Sequence, residues 1–389
     1  MRDVVIVGAG LAGLVCAWQL ADARPRARVL VLDQGRPGGS SALAVGSFTA
    51  AGTSLQRAAG VEDTPAEHYA DLLRLVDLEG EAGDLGRYRR LLRWFCEEAP
   101  ATWELLSGAG VRFAGPYPEP PHRKPRMHNA VPAARAAVET VLQLLASRPK
   151  VEIAPGREVT ALDRDGDGFR VTAGEVERCA ALVLACGDRS AAWGRVPGLN
   201  PDALGRPIEM AAARFGCRDH PPRYAPSLRT VVPGKPHVEP QRHLVEAGRA
   251  LTPAGTIPGV RLLERLDRLG GQEVHLRVAE ERLRDRPVCT YPGIGYATLD
   301  HLLEQGLARR CGPEVEVGPL RVVVTLADGG LDVDADMAVL DASGTPLPGL
   351  FACGSAALGG IQLNGHGHHL MWAAVSGRRA ARSLAGTPA

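Results

Sequence analysis

Apolar runs and one glycine-rich turn alternate along the first 33 residues of the chain. The apolar runs Val4–Val7 and Val29–Leu32 are typical of buried parallel strands, and the segment between them has the apolar pattern of a helix. The turn before this helix reads Gly8-Ala9-Gly10-Leu11-Ala12-Gly13, and Asp33 ends the second strand. This order of strand, turn, helix and strand predicts a doubly wound α/β fold.

The spacing of the glycines indicates what this unit binds. Gly8 permits the tight turn, Gly10 lets a diphosphate approach the backbone, and Gly13 lets the helix pack closely on the strand. The helix N-terminus then directs unpaired N–H groups at the phosphates. Asp33, 20 residues after Gly13, can accept a hydrogen bond from a ribose hydroxyl. An acid at this place argues against a 2′-phosphate, which leaves NAD or the ADP half of FAD.

The loop that follows Asp33 is dense in glycine and serine. Such a loop presents backbone N–H groups and small hydroxyls to a ligand that lies flat against the main chain. A flexible surface loop is the simpler alternative, but the position directly after the ribose-binding acid favours ligand contact. The residues predicted to contact the cofactor here are Gln34, Gly38, Gly39, Ser40, Ser41 and Gly46.

These motifs carry a resemblance to a known family. The GxGxxG turn, the acid, and the runs Gly38-Gly39-Ser40-Ser41 and Ala50-Ala51-Gly52-Thr53 resemble the FAD-dependent fumarate reductase and succinate dehydrogenase flavoprotein family, with 3-ketosteroid dehydrogenase and L-aspartate oxidase. The resemblance implies FAD as the cofactor. Some members carry a histidine in this loop that bonds covalently to the flavin, but residues 40–52 contain none. We therefore expect non-covalent FAD.

Later segments extend the resemblance to the end of the chain. A small-residue turn after the buried strand 181–184 and the block 349–360 are similar to family elements that meet the cofactor. A last helix, expected from about Gly367 to Leu384, would aim its N-terminus at the flavin, where it stabilises negative charge on the reduced ring. The cofactor residues that the resemblance implies in these segments are Val159, Ala185, Cys186, Gly187, Gly354, Ser355, His369 and Leu370.

Histidines before the last helix are the first candidates for substrate chemistry. The segment Asn364 to His369 replaces an arginine motif of the family and includes His366 and His368. An imidazole titrates near neutral pH and suits acid–base work, so one of these two is expected to face flavin and substrate. Three histidines in four residues also suggest a metal, but their spacing at a helix start points them apart. No metal is predicted.

Two other segments offer candidate catalytic residues. His122 and Arg123 lie in a proline-rich, basic loop, which suits an anion or a solvated turn equally well. Tyr291 and Tyr296 flank a Gly/Pro loop, and resemblance to ketosteroid dehydrogenases implies that such a tyrosine donates or accepts a proton. The alternative for these tyrosines is that they pack one domain on another.

The predicted fold class is α/β, a Rossmann-like (two-dinucleotide-binding-fold) FAD domain with an inserted α+β capping domain. Residues 64–106 have a helical pattern. Between 219 and 319 prolines become dense and the periodicity is mixed, and the family inserts its capping domain at this place. We therefore assign residues 1–218 and 320–389 to the FAD-binding domain and residues 219–319 to the capping or substrate domain.

Composition narrows the class of protein further. With 45 basic and 44 acidic side chains, the chain has no charge excess that would recruit nucleic acid or an anionic membrane, and neither is predicted as a partner. The eight cysteines form no CxxC pair, which is typical of buried thiols in a reducing compartment. The chain shows no signal peptide and no apolar run of membrane-spanning length, so a cytoplasmic location is expected.

The expected function is hydride transfer between flavin N5 and an activated C–C bond of a small organic substrate, by dehydrogenation or ene-reduction. Fumarate and succinate are doubtful substrates, because residues 322–327 lack the family's histidines and Ser355 replaces its glutamate. One alternative is an alcohol or amine dehydrogenase resembling the anaerobic glycerol-3-phosphate dehydrogenase B subunit. Another is a non-catalytic flavin-binding partner subunit. An electron-acceptor protein and a second copy of the chain are the candidate partners.

Overall fold

The computed structural model describes residues 1–75, 85–119, 122–194, 200–263, 266–269, 271–284, 286–291, 295–363 and 365–386. The helices of these residues are α1 Leu11–Ala23, α2 Gly39–Leu43, α3 Ser54–Ala58, α4 Pro65–Leu75, α5 Leu85–Gly108, α6 Ala134–Ala146, α7 Arg206–Phe215, α8 Arg242–Ala247, α9 Gly259–Leu263, α10 Leu266–Leu269, α11 Leu299–Glu304 and α12 His368–Gly386. The strands are β1 Arg2–Val7, β2 Val29–Asp33, β3 Ser47–Thr49, β4 Phe113–Tyr117, β5 Met127–Ala130, β6 Val151–Pro155, β7 Ala161–Asp165, β8 Gly168–Ala173, β9 Glu175–Leu184, β10 Asp219–Thr230, β11 Arg249–Thr252, β12 Gly255–Pro258, β13 Val274–Ala279, β14 Cys289–Tyr291, β15 Gly295–Ala297, β16 Ala308–Cys311, β17 Glu314–Leu331, β18 Ala338–Leu340 and β19 Pro346–Ala352. Short 3₁₀ turns span Ser190–Ala192, Glu280–Arg282 and Gly354–Ala356.

A largely parallel sheet in the order β18-β19-β9-β1-β2-β6 forms the centre of the fold. Strands β19, β9, β1, β2 and β6 are parallel, and Val5 pairs with Leu30 on one side and Leu182 on the other. These three side chains are fully buried, which explains why the sequence shows unbroken apolar runs here. The predicted Rossmann-like α/β fold is confirmed.

The last helix returns to the first helix at backbone contact. A Cβ atom on Gly377 of α12 would lie 2.3 Å from the carbonyl oxygen of Ala12 in α1, so only glycine leaves room for this approach. The indole of Trp372 donates to the Gly354 carbonyl over 2.9 Å, and the Gly354 N–H donates to Ser376 Oγ over 2.9 Å. These bonds tie the turn after β19 to α12. The two ends of the described chain therefore form one packed unit.

A second sheet, in the order β10-β17-β13-β11-β12 with β16 beside β17, has an apolar cluster of its own. It lies in the region where the sequence predicts the capping domain. Strand β17 continues from Glu314 to Leu331 without a break, and so passes through the proposed boundary at 319/320. The proposed domain boundaries stay a prediction. Buried members of this cluster include Leu228, Leu244, Val274, Leu276, Leu302 and Val317.

The segment predicted as helical supplies α4 and α5, and residues 76–84 between them lie outside the described residues. A buried ion-pair network fixes α4. The Arg126 side chain is 1% exposed, and its Nε lies 2.6 Å from Asp63 Oδ2 while Nη1 lies 2.5 Å from Asp71 Oδ2. Both carboxylates are fully buried, and Arg126 helps to compensate their loss of hydration, alone among these arginines at Asp63 and together with Arg74 and Arg123 at Asp71.

Replacing this buried cation tests its role in stability. Arg126→Met leaves the buried Asp63 carboxylate without its cation, and the free energy of unfolding is expected to fall by about 3–5 kcal/mol. Arg242→Met is the control, because Arg242 is 82% exposed and, among the described residues, pairs with Glu246 along α8. The control is expected to change the free energy of unfolding by no more than about 0.5 kcal/mol. Equal denaturation midpoints for the two variants would contradict this role.

Candidate functional site

A cavity of about 880 Å³ lies between the carboxyl ends of the parallel strands and the second sheet. Its floor includes Val7 and Leu32, which end β1 and β2, together with Ala185 after β9. Its opposite wall comes from β10 and β17, where Arg229 and Asp328 face it. The carboxyl edge of a parallel sheet is the usual place for a ligand in α/β proteins, and the volume suits a large one.

One end of the cavity is shaped to receive an anion. Gly10 is the residue before α1, and it has no side chain that could cap the first turn of this helix. A Cβ on Gly10 would meet nothing closer than Ser41 Oγ at 3.8 Å. Gly8 has a φ of +111°, and a Cβ there would lie 2.3 Å from the Ala185 carbonyl oxygen. Asp33 accepts hydrogen bonds from the N–H groups of Ala9 at 2.7 Å and Gly35 at 2.8 Å. A helix N-terminus with open backbone in front of it binds phosphates.

Most of the predicted cofactor residues line this cavity. Gly13 and Gly38 do not line it and have packing roles instead. A Cβ on Gly13 would lie 2.0 Å from the Gly8 carbonyl oxygen, and one on Gly38 would lie 2.7 Å from the side chain of Ala42. The predicted residues that line the cavity are Gly8, Gly10, Leu11, Ala12, Asp33, Gln34, Gly39, Ser40, Ser41, Gly46, Val159, Ala185, Cys186, Gly187, Gly354, Ser355, His369 and Leu370.

The N-terminus of α12 opens onto the other end of the same cavity. His366 and Gly367 precede this helix and line the wall, and the Thr49 hydroxyl fixes their loop by donating to the His366 carbonyl at 2.5 Å. Within the first turn, His369 Nε2 lies 2.8 Å from Asp328 Oδ1 of β17. Two helix N-termini, from α1 and α12, therefore face one space.

His366 is the candidate catalytic residue that the structure places on the cavity wall. Its backbone N–H and its Nδ1 both bond to Glu119 Oε1, the latter over 2.8 Å, and its Nε2 lies 3.6 Å from Glu239 Oε2. The side chain remains 34% exposed. Burial opposes a charge here, but the bonds to Glu119 and Glu239 raise the pKa of the His366 imidazole to about 10. The imidazole is therefore a cation at neutral pH.

Glu239 balances a second cation at this end of the cavity. Its Oε2 accepts a hydrogen bond from Arg229 Nη2 at 2.7 Å. Although burial acts the other way, Arg229 and His366 lower the pKa of Glu239 to about 2. Among the described lining residues here, Arg229 and His366 share this carboxylate and His369 faces Asp328. The wall thus has no large excess of positive charge.

His368, His122 and Arg123 lie outside the cavity lining. His368 is fully buried, with its Nε2 3.1 Å from His68 Nε2, and its ring stacks on His122 with centroids 5.0 Å apart. Burial lowers the pKa values of His68 and His368 well below the usual range. Arg123 Nε lies 2.5 Å from Asp71 Oδ1 and belongs to the ion-pair network of α4. The rings of His68, His122 and His368 thus form a neutral layer behind the wall, and Arg123 pairs with a carboxylate outside it.

Tyr291 and Tyr296 also lie outside the cavity lining. They stand in β14 and β15, which pair as a hairpin, while residues 292–294 lie outside the described residues. The Tyr291 ring contacts His301 edge to face at 4.4 Å, and the Tyr296 hydroxyl donates to the Pro118 carbonyl at 2.6 Å. The hydroxyl of Tyr296 therefore joins two parts of the chain, which matches the packing alternative.

Sequence reasoning did not single out Glu119, Glu239, Arg229 or Asp328. Glu119 stands three residues before His122 in the proline-rich loop. The candidate residues in this loop were the one sequence signal that pointed toward Glu119. Glu239 and Arg229 lie in the proline-dense segment, where no motif marks them. In the described part of the chain, no cluster of three or more histidine, cysteine, aspartate or glutamate side chains is arranged to hold a metal ion.

The residues present fit FAD. The lining of one cavity includes an open anion cradle at Gly10, a carboxylate at Asp33 and, through His366 and Gly367, the N-terminus of α12. The cradle would hold the diphosphate, and the α12 end would hold the ring, where a helix N-terminus and the His366 cation favour negative charge.

Comparison with solved structures finds the same fold in known flavoproteins. A 3-ketosteroid-Δ4-(5α)-dehydrogenase from Rhodococcus jostii RHA1 superposes with a TM-score of 0.68 at 20% identity, over 99% of this chain and 97% of that chain. A 3-ketosteroid Δ1-dehydrogenase from Sterolibacterium denitrificans gives 0.70 at 16% identity over 100% of both chains. A flavocytochrome c3 fumarate reductase gives 0.74 at 18% identity, over 99% of this chain and 78% of that one. At these identities the likeness establishes the fold.

A comparison with curated protein sequences finds no match. The family model described as "FAD binding domain" matches residues 3–208 and 312–367, which include both ends of the cavity. This match confirms the predicted resemblance and the predicted cofactor. The chain belongs to the FAD binding domain family, and FAD is its cofactor.

Proposed function

We propose that this FAD-dependent oxidoreductase transfers a hydride between flavin N5 and an activated carbon–carbon bond of a small, uncharged organic substrate. The observation that carries the proposal is the His366 imidazole, which stands on the cavity wall and is held as a cation by Glu119 and Glu239. FAD, when bound, supplies the hydride chemistry itself. The chain's own residues then have to position the substrate and to move one proton.

His366 would be the residue that moves this proton. In the direction of reduction, the imidazolium donates a proton from Nε2 to the substrate. In the direction of dehydrogenation the ring accepts a proton only after it has lost its own to solvent, a form that gains population as the pH rises toward about 10. Glu119 fixes the orientation of the ring because it accepts from both the backbone N–H and Nδ1, which leaves Nε2 toward the cavity. His368 is fully buried among other rings and is not placed for this role.

The balance of charges supports an uncharged substrate. Arg229 and His366 already face the Glu239 carboxylate, so neither is unpaired for the carboxylates of a substrate such as fumarate. The similar dehydrogenases from R. jostii and S. denitrificans were solved in complex with 4-androstene-3,17-dione and 1,4-androstadiene-3,17-dione, which are uncharged ketones. A carbonyl group next to the reacting bond would activate it and accept a hydrogen bond from His366.

The remaining expectations about the protein's setting stay predictions. The cofactor is proposed to be non-covalent, and either an electron-acceptor protein or a second copy of the chain is the expected partner. No helix among the described residues combines the length and the apolar character needed to cross a membrane. The cytoplasmic location also stays a prediction.

The substrate class is tested by anaerobic mixing of the purified holoprotein with saturated cyclic ketones, alcohols and amines. We expect a ketone to bleach the flavin absorbance, and to do so faster as the pH rises toward about 10, because its activated C–C bond loses a hydride while the neutral His366 ring accepts the proton. Denaturation should release the FAD into solution. Bleaching by alcohols or amines alone would favour the alcohol or amine dehydrogenase, and no bleaching or turnover with any substrate would favour a non-catalytic subunit.

The diphosphate cradle is tested by Gly10→Val. A side chain at this position points into open space, so the fold should persist while the diphosphate is displaced. We expect the FAD content of the purified protein, measured from flavin absorbance, to fall at least about tenfold through loss of backbone contact. Gly108→Val is the control, since a Cβ there meets nothing within 4 Å and the residue ends α5 away from the cavity. Normal FAD content in Gly10→Val would contradict the assignment.

The role of His366 is tested by rate and by pH. His366→Gln should retain FAD and lose about 10²–10⁴-fold in the rate of substrate turnover. Because the pKa is raised from 6.5 to about 10, the imidazolium persists through neutral pH and is lost only as the pH rises through about 10. NMR titration of labelled histidine should show this high pKa and a fall toward the usual value in Glu119→Gln. Glu139→Gln is the control, because Glu139 is exposed on α6. An unchanged titration in Glu119→Gln would overturn the account.

A further inference from the structure

Arg229 and His366 converge on a single carboxylate oxygen that belongs to the chain itself. Glu239 Oε2 lies 2.7 Å from Arg229 Nη2 and 3.6 Å from His366 Nε2. All three side chains line the cavity, although Arg229 belongs to β10 and His366 precedes α12. A guanidinium and an imidazolium that face the same point form an arrangement that binds carboxylates.

The two cations would remain charged without Glu239. Arg229 is a guanidinium, which stays protonated at all ordinary pH values. His366 has a second carboxylate partner, Glu119, on its Nδ1 side. The position of Glu239 Oε2 is therefore an anion-binding position that the protein fills with its own side chain.

The backbone holds Glu239 in place independently of its carboxylate. Its carbonyl oxygen accepts a hydrogen bond from the Thr290 N–H at 3.1 Å, and the following Pro240 forms a β-bridge with Cys289. The side chain is 28% exposed and reaches toward the cavity from this fixed point. Replacing the carboxylate should therefore leave the local backbone intact, so the carboxylate is not needed for this part of the fold.

We propose that Glu239 is a specificity-determining residue: its carboxylate occupies the anion position between Arg229 and His366 and thereby excludes substrates that carry a carboxylate beside the reacting bond. This inference rests on the proposed function only in taking the His366 end of the cavity as the substrate end. It assigns the rejection of anionic substrates to one side chain. Removal of that side chain should expose a site for a monocarboxylate.

Crotonate, an unsaturated monocarboxylate, is the probe. The holoprotein is titrated with crotonate by calorimetry and by the change in flavin absorbance. Glu239→Ala vacates the position and leaves both cations, so crotonate should bind at least about tenfold more tightly than to the wild type, as expected for a gained charge-assisted hydrogen bond. The double variant Arg229→Gln/Glu239→Ala should lose this gain. Glu246→Ala, which removes a carboxylate of α8 whose side chain is 37% exposed, should behave as the wild type.

The outcomes separate this inference from the proposed function. Tight crotonate binding to the wild type at the flavin, or no gain in Glu239→Ala, would overturn the inference. If Glu239→Ala does not hold FAD, Glu239→Gln replaces it, because this variant removes the charge and keeps the size of the side chain. Crotonate should bind Glu239→Gln more tightly than the wild type, by a smaller factor, and the absence of that gain would equally overturn the inference. Because binding is measured without turnover, a protein that gains crotonate binding but is bleached by no ketone would reject the proposed function alone.

Discussion

Backbone contact between the first and last helices is the constraint on which the site depends. Gly377 of α12 approaches the Ala12 carbonyl so closely that any side chain would collide with it. Gly8 makes the corresponding contact with Ala185 at the base of the cavity, where β1 and β9 are paired neighbours. Because these contacts bring α1, α12 and the parallel sheet together, both helix N-termini open onto one cavity. A cofactor with a phosphate end and a ring end meets a complementary group at each end.

The same packing places two carboxylates beside the imidazole of His366. The loop before α12 carries His366 to the cavity wall, where Glu119 and Glu239 reach it from different parts of the chain. Behind the wall, His368 and His68 are buried against each other, and burial holds their pKa values low. His366 is therefore charged and His368 neutral, although they are two residues apart, because His366 contacts carboxylates and His368 contacts other rings. The difference makes His366 the group that can exchange a proton at this end.

Local patterns in the sequence predicted the parts of the site that are formed by local structure. From the turn before α1, Gly8 and Gly10 line the cavity, and from the block 349–360, Gly354 and Ser355 line it. The partners of His366 were not predictable, because Glu119 is 247 residues away in the chain and no periodicity reports such a contact. The tyrosine candidates depended on how the β14–β15 hairpin is placed, which the sequence does not encode locally. Long-range packing decided that His366 lines the cavity while His368 and the two tyrosines do not.

The central claim is that one cavity holds FAD at both ends, and a comparison of FAD with FMN tests it most directly. FMN carries the ring and one phosphate but lacks the adenosine half that the Asp33 end would hold. Titration of the apoprotein by calorimetry should give one FAD bound per chain. FMN should bind at least about a hundredfold more weakly, because the contacts of the second phosphate and of the adenosine ribose are lost. Equal affinities for FMN and FAD, or no binding of FAD, would contradict the account.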